Sequence, residues 1–321
     1  YLKRLWSGMG SIAEVSVTTT SSSNGFFVVK LIRPPDDPDD LDQKRDHLSY
    51  KVESAFYEQG HAHQVCTSGA KCPQSLGSEQ EDDGHITICM TKISGKECRG
   101  SSELQIRAAL SWLARLHSLY WGEDRANAAV ATGLQPQGCF WNLDARQKEL
   151  QAMPQEGVLG RLRLAAKGLD QRLKADCMQT LCHGDPKDAN MLFDADGSVA
   201  LVDFQWIGKA PAVKDVAYCL ACGGALHLSA EDEDMYLQHY HTALTALLKA
   251  DGVDAPHFKA LRDSYRLAMC DLARWMGGWG WWGHVSVLRG HVDDVLQSLD
   301  GGCALSSEEA YCDAIFAAFP P

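Results

Sequence analysis

Nowhere in this chain do apolar residues run on for the roughly 18 positions of a membrane-spanning helix, so a membrane span is not expected. Clustered Lys or Arg is missing too. Thirty basic residues stand against 42 acidic ones, a formal charge of -12, and an acidic surface repels phosphate backbones. Nucleic acid is therefore excluded as a partner. The stretch from Tyr1 to Trp6 lacks the apolar core of a signal peptide. Cysteine is present but unpatterned: of twelve, only Cys219 and Cys222 have metal-ligand spacing, and a zinc site needs a second pair. Reduced core thiols and a cytoplasmic protein are the expectation. A targeting segment already removed stays open, since the first residue is Tyr1 and not Met. Disorder is excluded, because 45% of the 321 residues are hydrophobic and only 22% charged. That length suits one large or two medium domains.

The order of patterns along the chain sets the fold class. Ile12 to Thr18 alternates apolar and polar, residues 18–25 read as a hairpin-like connection, and Phe26-Phe27-Val28-Val29 reads as a buried strand. The acidic, proline-bearing stretch 34–40 must be a solvated loop. Leu48, Val52, Ala55 and Phe56 then recur at helical spacing. Residues 66–84, rich in Gly, Ser and acid, read as another loop, and Ile86 to Met90 as a short strand. Ser102 with Gln105 predicts a capping box, with Ile106, Ala109, Leu110, Leu113, Leu116 and Tyr120 on one helical face. Ser229 with Asp232 predicts a second cap, opening a helix that ends near Gly252. Strands first and helices afterwards predict an α+β chain of two lobes, a small antiparallel sheet lobe over 1–92 and a larger helical lobe over 93–321.

Several polar residues sit where apolar patterns make them costly. Lys30 ends the strand Phe27-Val28-Val29, and an ammonium there needs an anion. Glu53, on the next helix, is its candidate partner. Val15 is expected to face the same cleft from the neighbouring strand. Gly8 and Gly10 lie in the first turn, where a missing Cβ lets backbone approach phosphate oxygens. The element that follows them is a strand, which separates the pattern from a dinucleotide fingerprint. The segment His183-Gly184-Asp185-Pro186-Lys187-Asp188-Ala189-Asn190 is followed by a hairpin turning at Asp194-Ala195-Asp196-Gly197, whose return strand delivers Asp203-Phe204-Gln205. Phosphoryl transfer needs a base at the attacking hydroxyl, cations on the phosphates and oxygen ligands for magnesium, and these residues supply each type.

Taken together, Gly8-x-Gly10-x-x-Ala13-x-Val15, Val28-Val29-Lys30, Glu53, His183-Gly-Asp185-x-Lys187-x-x-Asn190 and Asp203-Phe-Gln resemble the protein-kinase-like fold. The His-Gly-Asp form resembles its aminoglycoside phosphotransferase and choline kinase branch, and is most similar to the ecdysteroid-kinase-like group there. Supporting segments are Tyr50-Lys51-Val52-Glu53, Phe140 to Arg146 and Lys214 to Tyr218. The resemblance implies an ATP- and Mg2+-dependent kinase acting on a small-molecule alcohol, with Asp185 as base beside Lys187. It implies Asn190 and Asp203 as metal ligands, and Lys30 on the α/β phosphates, oriented by Glu53. The Gly8–Gly10 loop would cover those phosphates. Met90, Thr91 and Ile93 would meet adenine as the hinge, and Asp215 would brace the catalytic loop. Ala13 replaces a third glycine, a mild change, and Gln205 follows Asp-Phe as in the small-molecule branch. The competing class is a nucleotide-binding scaffold without turnover. A protein kinase is disfavoured because Asp203 to Asp215 is too short for a peptide-docking segment and holds no Ala-Pro-Glu.

The acceptor is less legible. Trp275, Trp279, Trp281 and Trp282 either cage an amine by cation–π contact, line a pocket for a large apolar alcohol such as a sterol or terpenoid, or pack the helical lobe. Sugar-like and amino-alcohol acceptors stay equally open. Trp141 and Arg146 line the acceptor cleft by resemblance alone. His61 with His63 and His239 with His241 are expected to be solvated. Oligomeric state is not set by the sequence.

Overall fold

Period-two alternation builds the first layer. A computed structural model of the chain describes residues 3–5, 8–17, 25–37, 39–97 and 100–321. In it β1 (Lys3–Arg4), β2 (Gly10–Val17), β3 (Gly25–Ile32), β4 (Ser75–Gln80) and β5 (Ile86–Thr91) form one antiparallel sheet in the order β1-β2-β3-β5-β4. Helix α1 (Leu41–Glu58) connects β3 towards β4, capped by Asp40, whose carboxylate accepts from the Asp42 and Gln43 amides. Residues opposite one another in an antiparallel pair share a face. Ile12 opposes Lys30, Glu14 opposes Val28, and Val28 and Lys30 oppose Met90 and Ile88. Those six residues therefore look one way.

The register corrects one expectation. Val15 opposes Phe27, on the face away from Lys30, and is 40% exposed. Nor is the Phe26–Val29 run buried throughout: Phe26 is 50% exposed, and the strand continues two residues beyond Lys30. The connection expected at 18–25 falls on residues 18–24, outside the described ones, as does Pro38 of the acidic loop. Within 66–84, expected to be loop, lie the end of α2 (His61–Thr67) and all of β4. His61, expected in solvent, is buried between the Tyr120 hydroxyl and Thr132 Oγ1, each 2.8 Å away.

Beyond β5 the chain is mainly helical, with α3 (Glu103–Leu119), α4 (Glu123–Val130), α5 (Gln147–Ala152), α6 (Gly157–Lys174), α7 (Val213–Cys222), α8 (Ala230–Ala250), α9 (Phe258–Trp279), α10 (Val285–Asp300) and α11 (Glu308–Ala318). Both expected capping boxes form, Ser102–Gln105 on α3 and Ser229–Asp232 on α8. Ile106, Ala109, Leu110, Leu113 and Leu116 are wholly buried along α3, which packs on α8. Helix α9 is the hub of the layer, packing on α5, α6, α7 and α10. No helix among the described residues is long and apolar enough to cross a membrane.

Two short sheets sit between the strand layer and the helices. The first joins β6 (Lys96–Glu97), β8 (Met191–Phe193) and β9 (Val199–Leu201); the second pairs β7 (Gln179–Cys182) with β10 (Gly208–Pro211). The β8–β9 turn is the expected one, with Gly197 at φ 82° and the Asp194 amide donating to the Ser198 carbonyl. Because β10 pairs with β7 directly after Asp203-Phe204-Gln205, no length remains there for a peptide-docking segment.

Candidate functional site

Residues far apart in sequence converge at the base of β3. Lys30 Nζ donates to Glu53 Oε1 and Oε2 at 2.7 and 2.6 Å and to Asp203 Oδ1 at 2.9 Å. Burial opposes the ammonium, yet the Asp203 and Glu53 carboxylates outweigh it and hold its pKa above the ordinary lysine value. Burial likewise opposes the Asp203 carboxylate, but Lys30, with help from Lys187 and Gln205, brings it down to about 2. Asp203 adopts φ 73°, a left-handed conformation that Asp tolerates better than most residues. Its neighbour Phe204 anchors it: fully buried, that ring stacks on Phe56 of α1 with centroids 4.0 Å apart and planes 12° from parallel. Gln205 adds a tether, donating to Asp203 Oδ1 at 2.7 Å while accepting from Ser49 Oγ at 2.9 Å.

The loop after β7 is held from behind. The amides of His183 and Gly184 donate to the Asp215 carboxylate at 2.6 and 2.9 Å, as the bracing role of Asp215 requires. Gly184 sits at φ 87°, and a Cβ there would lie 2.2 Å from the Trp206 carbonyl oxygen, so only glycine fits. This turn presents Asp185. Its Oδ2 accepts from Lys187 Nζ at 2.8 Å and Asn190 Nδ2 at 2.9 Å, while Oδ1 is buried without a hydrogen bond. Burial pushes the Asp185 carboxyl above its ordinary value, and Lys187 only partly offsets this.

Two cavities meet at this cluster. One, of about 490 Å³, has an apolar slot of Ile12, Val28, Met90, Ile93, Leu192 and Val202, with Thr91 at its side and Lys30, Asn190 and Asp203 at its polar end. The other, of about 290 Å³, has Asp185 and Lys187 at one end and Phe140, Trp206, Trp275 and Trp279 along its wall. Asp203 borders both. The donor set fits a hard divalent cation. Asn190 Nδ2 also donates to the Asp185 carbonyl, so its Oδ1 is turned outward, and among the described residues neither that oxygen nor Asp203 Oδ2 takes a hydrogen bond.

Not every expected residue arrives. Gly8 and Gly10 border neither cavity; a Cβ on Gly10 would sit 1.9 Å from the Leu31 carbonyl oxygen, so its bareness serves the close approach of β2 to β3. Glu53 stands behind Lys30 and borders neither of the two cavities. Trp141 is wholly buried, with the Lys214 ammonium 4.1 Å from its ring centre and Arg274 donating to its carbonyl. It lines neither cavity. Arg146, 1% exposed, lies behind the aromatic wall of the second cavity, its guanidinium 3.9 Å from the Phe140 centroid and 5.7, 5.9 and 5.8 Å from those of Trp206, Trp275 and Trp279. Of Trp141, Arg146, Trp275 and Trp279, the residues expected at the acceptor, Trp275 and Trp279 border the cavity. Trp282 of the tryptophan-rich segment borders it as well, and so do Asp46, Tyr50, Phe140, Trp206 and Tyr218, to which sequence reasoning gave no place at the acceptor. Tyr50, Phe140 and Tyr218 lie in segments that carry the family resemblance, and Trp206 stands one residue beyond Asp203-Phe204-Gln205.

Comparison with known proteins follows the same lines. No curated protein sequence matches the chain. Among solved structures, it is similar to an amicoumacin kinase in complex with AMP-PNP, Ca2+ and Ami, at 12% identity and TM-score 0.55, covering 91% of this chain and 88% of that one. It is also similar to a choline/ethanolamine kinase family protein from Mesorhizobium loti, at 14% identity and TM-score 0.50, covering 96% and 94%. Both likenesses concern the bilobal fold. Over residues 9–252 the sequence matches the profile described as the phosphotransferase enzyme family, and the chain belongs to that family.

Proposed function

We propose that this protein is a small-molecule kinase that moves the γ-phosphoryl group of ATP, with Mg2+, to a hydroxyl of an organic metabolite. One observation carries the reading: Asp203 is shared by two cavities, one with cation and amide at its polar end, the other with a buried carboxylate. Adenine would lie in the slot of Ile12, Val28 and Met90 and meet the backbone at Thr91 to Ile93. Lys30, oriented by Glu53, would hold the α/β phosphates. Bound at Asn190 Oδ1 and Asp203 Oδ2, Mg2+ would neutralise charge on the β and γ phosphates.

On the acceptor side, Asp185 orients the hydroxyl and accepts its proton at the free oxygen Oδ1. The hydroxyl oxygen forms a bond to the γ-phosphorus as the bond to the β–γ bridging oxygen breaks, and ADP leaves. A pKa raised by burial makes Asp185 a better proton acceptor than an exposed carboxylate. Lys187 prevents that pKa from rising further and offers a cation to the transferring group. Sugar-like, amino-alcohol and polycyclic acceptors all satisfy this chemistry, as does a cytoplasmic setting. A division into lobes at about residue 92 would set the hinge between the two halves of the nucleotide site.

A panel of metabolite alcohols tested for ADP release tests the reading. Turnover with at least one alcohol, abolished by Asp203→Ala together with its Mg2+ dependence, is expected. Stabilisation by Mg-ATP with no turnover on any alcohol would instead identify a nucleotide-binding scaffold.

A further inference from the structure

An aromatic cage exists in this molecule, but it already holds a cation. Four rings that wall the acceptor cavity, Phe140, Trp206, Trp275 and Trp279, surround the guanidinium of Arg146 at centroid distances of 3.9 to 5.9 Å. Arg146 is fixed there: its Nε donates to the Phe140 carbonyl at 2.7 Å, Nη1 reaches Glu149 Oε1 at 3.4 Å, and Nη2 is buried without a hydrogen bond. Burial brings the group down to about 10, so it stays charged at neutral pH. The negative ring faces that would attract an ammonium are therefore turned towards, and neutralised by, a resident positive charge.

The carboxylates of the same cavity are also taken. Asp185 is paired with Lys187 at 2.8 Å, Asp203 with Lys30 at 2.9 Å, and Asp46 with Arg45 at 3.5 Å. A cationic acceptor would meet no unpaired anion and would approach Arg146 across a single layer of rings. A neutral, apolar body loses nothing there and gains contact with the indoles.

We propose that Arg146 sets the acceptor class by filling the aromatic box, so that the cavity takes uncharged alcohols with an apolar body and rejects quaternary-ammonium alcohols. This rests on the kinase reading above for the placement of the hydroxyl at Asp185. Arg146 is a positioning residue, since it does not itself border that cavity.

The test uses two alcohols of one shape: choline, and 3,3-dimethyl-1-butanol, in which carbon replaces the charged nitrogen. Titrating the intrinsic tryptophan fluorescence of the full chain with each should show the neutral alcohol binding at least tenfold more tightly. Arg146→Met should shift that preference at least tenfold towards choline, and Arg146→Lys should keep the wild-type order. Choline binding as tightly as its neutral isostere to the wild type, or saturable binding of neither, overturns the proposal. If Arg146→Met does not fold, the wild-type and Arg146→Lys titrations decide it alone. ADP release is followed in parallel. The expected binding order without ADP release from any alcohol would end the kinase reading and leave the charge selection standing.

Discussion

Replacing Lys30 by Met removes the ammonium that bonds both Glu53 and Asp203. The side chains of Lys30 and Glu53 are 6% and 0% exposed, and Asp203 is 32% exposed. Breaking a buried pair by deleting one partner costs about 3–5 kcal/mol, because the surviving charge has neither water nor counterion. In Lys30→Met, Glu53 must stay ionised in the interior or take a proton; either way the folded state loses about that much at pH 7. Stability of the variant should then rise as pH falls and Glu53 protonates, more steeply than in the wild type, where burial already raises the Glu53 carboxyl but Lys30 holds it partly down. The double variant Lys30→Met, Glu53→Gln should recover most of the loss while nucleotide affinity stays low. Urea denaturation of the four proteins of the cycle, followed at pH 5 and 7, gives the coupling directly. Lys92→Met, which breaks the exposed pair with Glu14 at 2.9 Å, is the control and should fall in the surface range of about 0–1 kcal/mol. A cost for Lys30→Met no larger than that of the control would refute the buried-triad energetics.

Other consequences follow from the same geometry. Asp203 is brought to about 2 from an unfolded value near 3.9, so its contribution is present above about pH 4 and lost as pH falls towards 2. With its partial exposure discounted, this is about 1–2 kcal/mol, and Asp203→Asn should flatten that part of the acid denaturation curve; an unchanged curve would contradict the assignment. Lys187→Met removes the cation beside Asp185 and should move the acid limb of kcat to higher pH, whereas an unmoved limb would separate Asp185 from the proton transfer. Gly184→Ala forces a methyl against the Trp206 carbonyl at left-handed φ and should cost more than about 2 kcal/mol, read by thermal unfolding. A fully stable Gly184→Ala protein would show that the turn has room the structure does not.

What the sequence revealed, and what it hid, has physical reasons. Capping boxes at Ser102 and Ser229 and the Asp194–Gly197 turn are local, since their hydrogen bonds close within three or four residues. The polar cluster was legible because Lys30, Asp185, Asn190 and Asp203 sit beside apolar strands that give them no other partner. Register was not: which strand face Val15 occupies depends on pairing across residues 18–24, and a shift by one reverses it. β4 escaped notice because it is an exposed edge strand with Gly77 at a bulge, so it carries no apolar alternation. Trp141 and Trp275 look alike in sequence and are equally buried, yet only one borders a cavity, a distinction that tertiary packing alone makes. Arg146 inside its aromatic box is the extreme case, joining α9 to residues more than a hundred positions earlier.

The most direct measurement of the central claim is ³¹P NMR of the wild type and Asp185→Asn incubated with Mg-ATP and an accepted alcohol. A phosphomonoester resonance should grow as the γ-phosphate signal declines, and Asp185→Asn should slow it at least about 100-fold without weakening ATP binding. Phosphomonoester formation by Asp185→Asn at the wild-type rate would contradict the account.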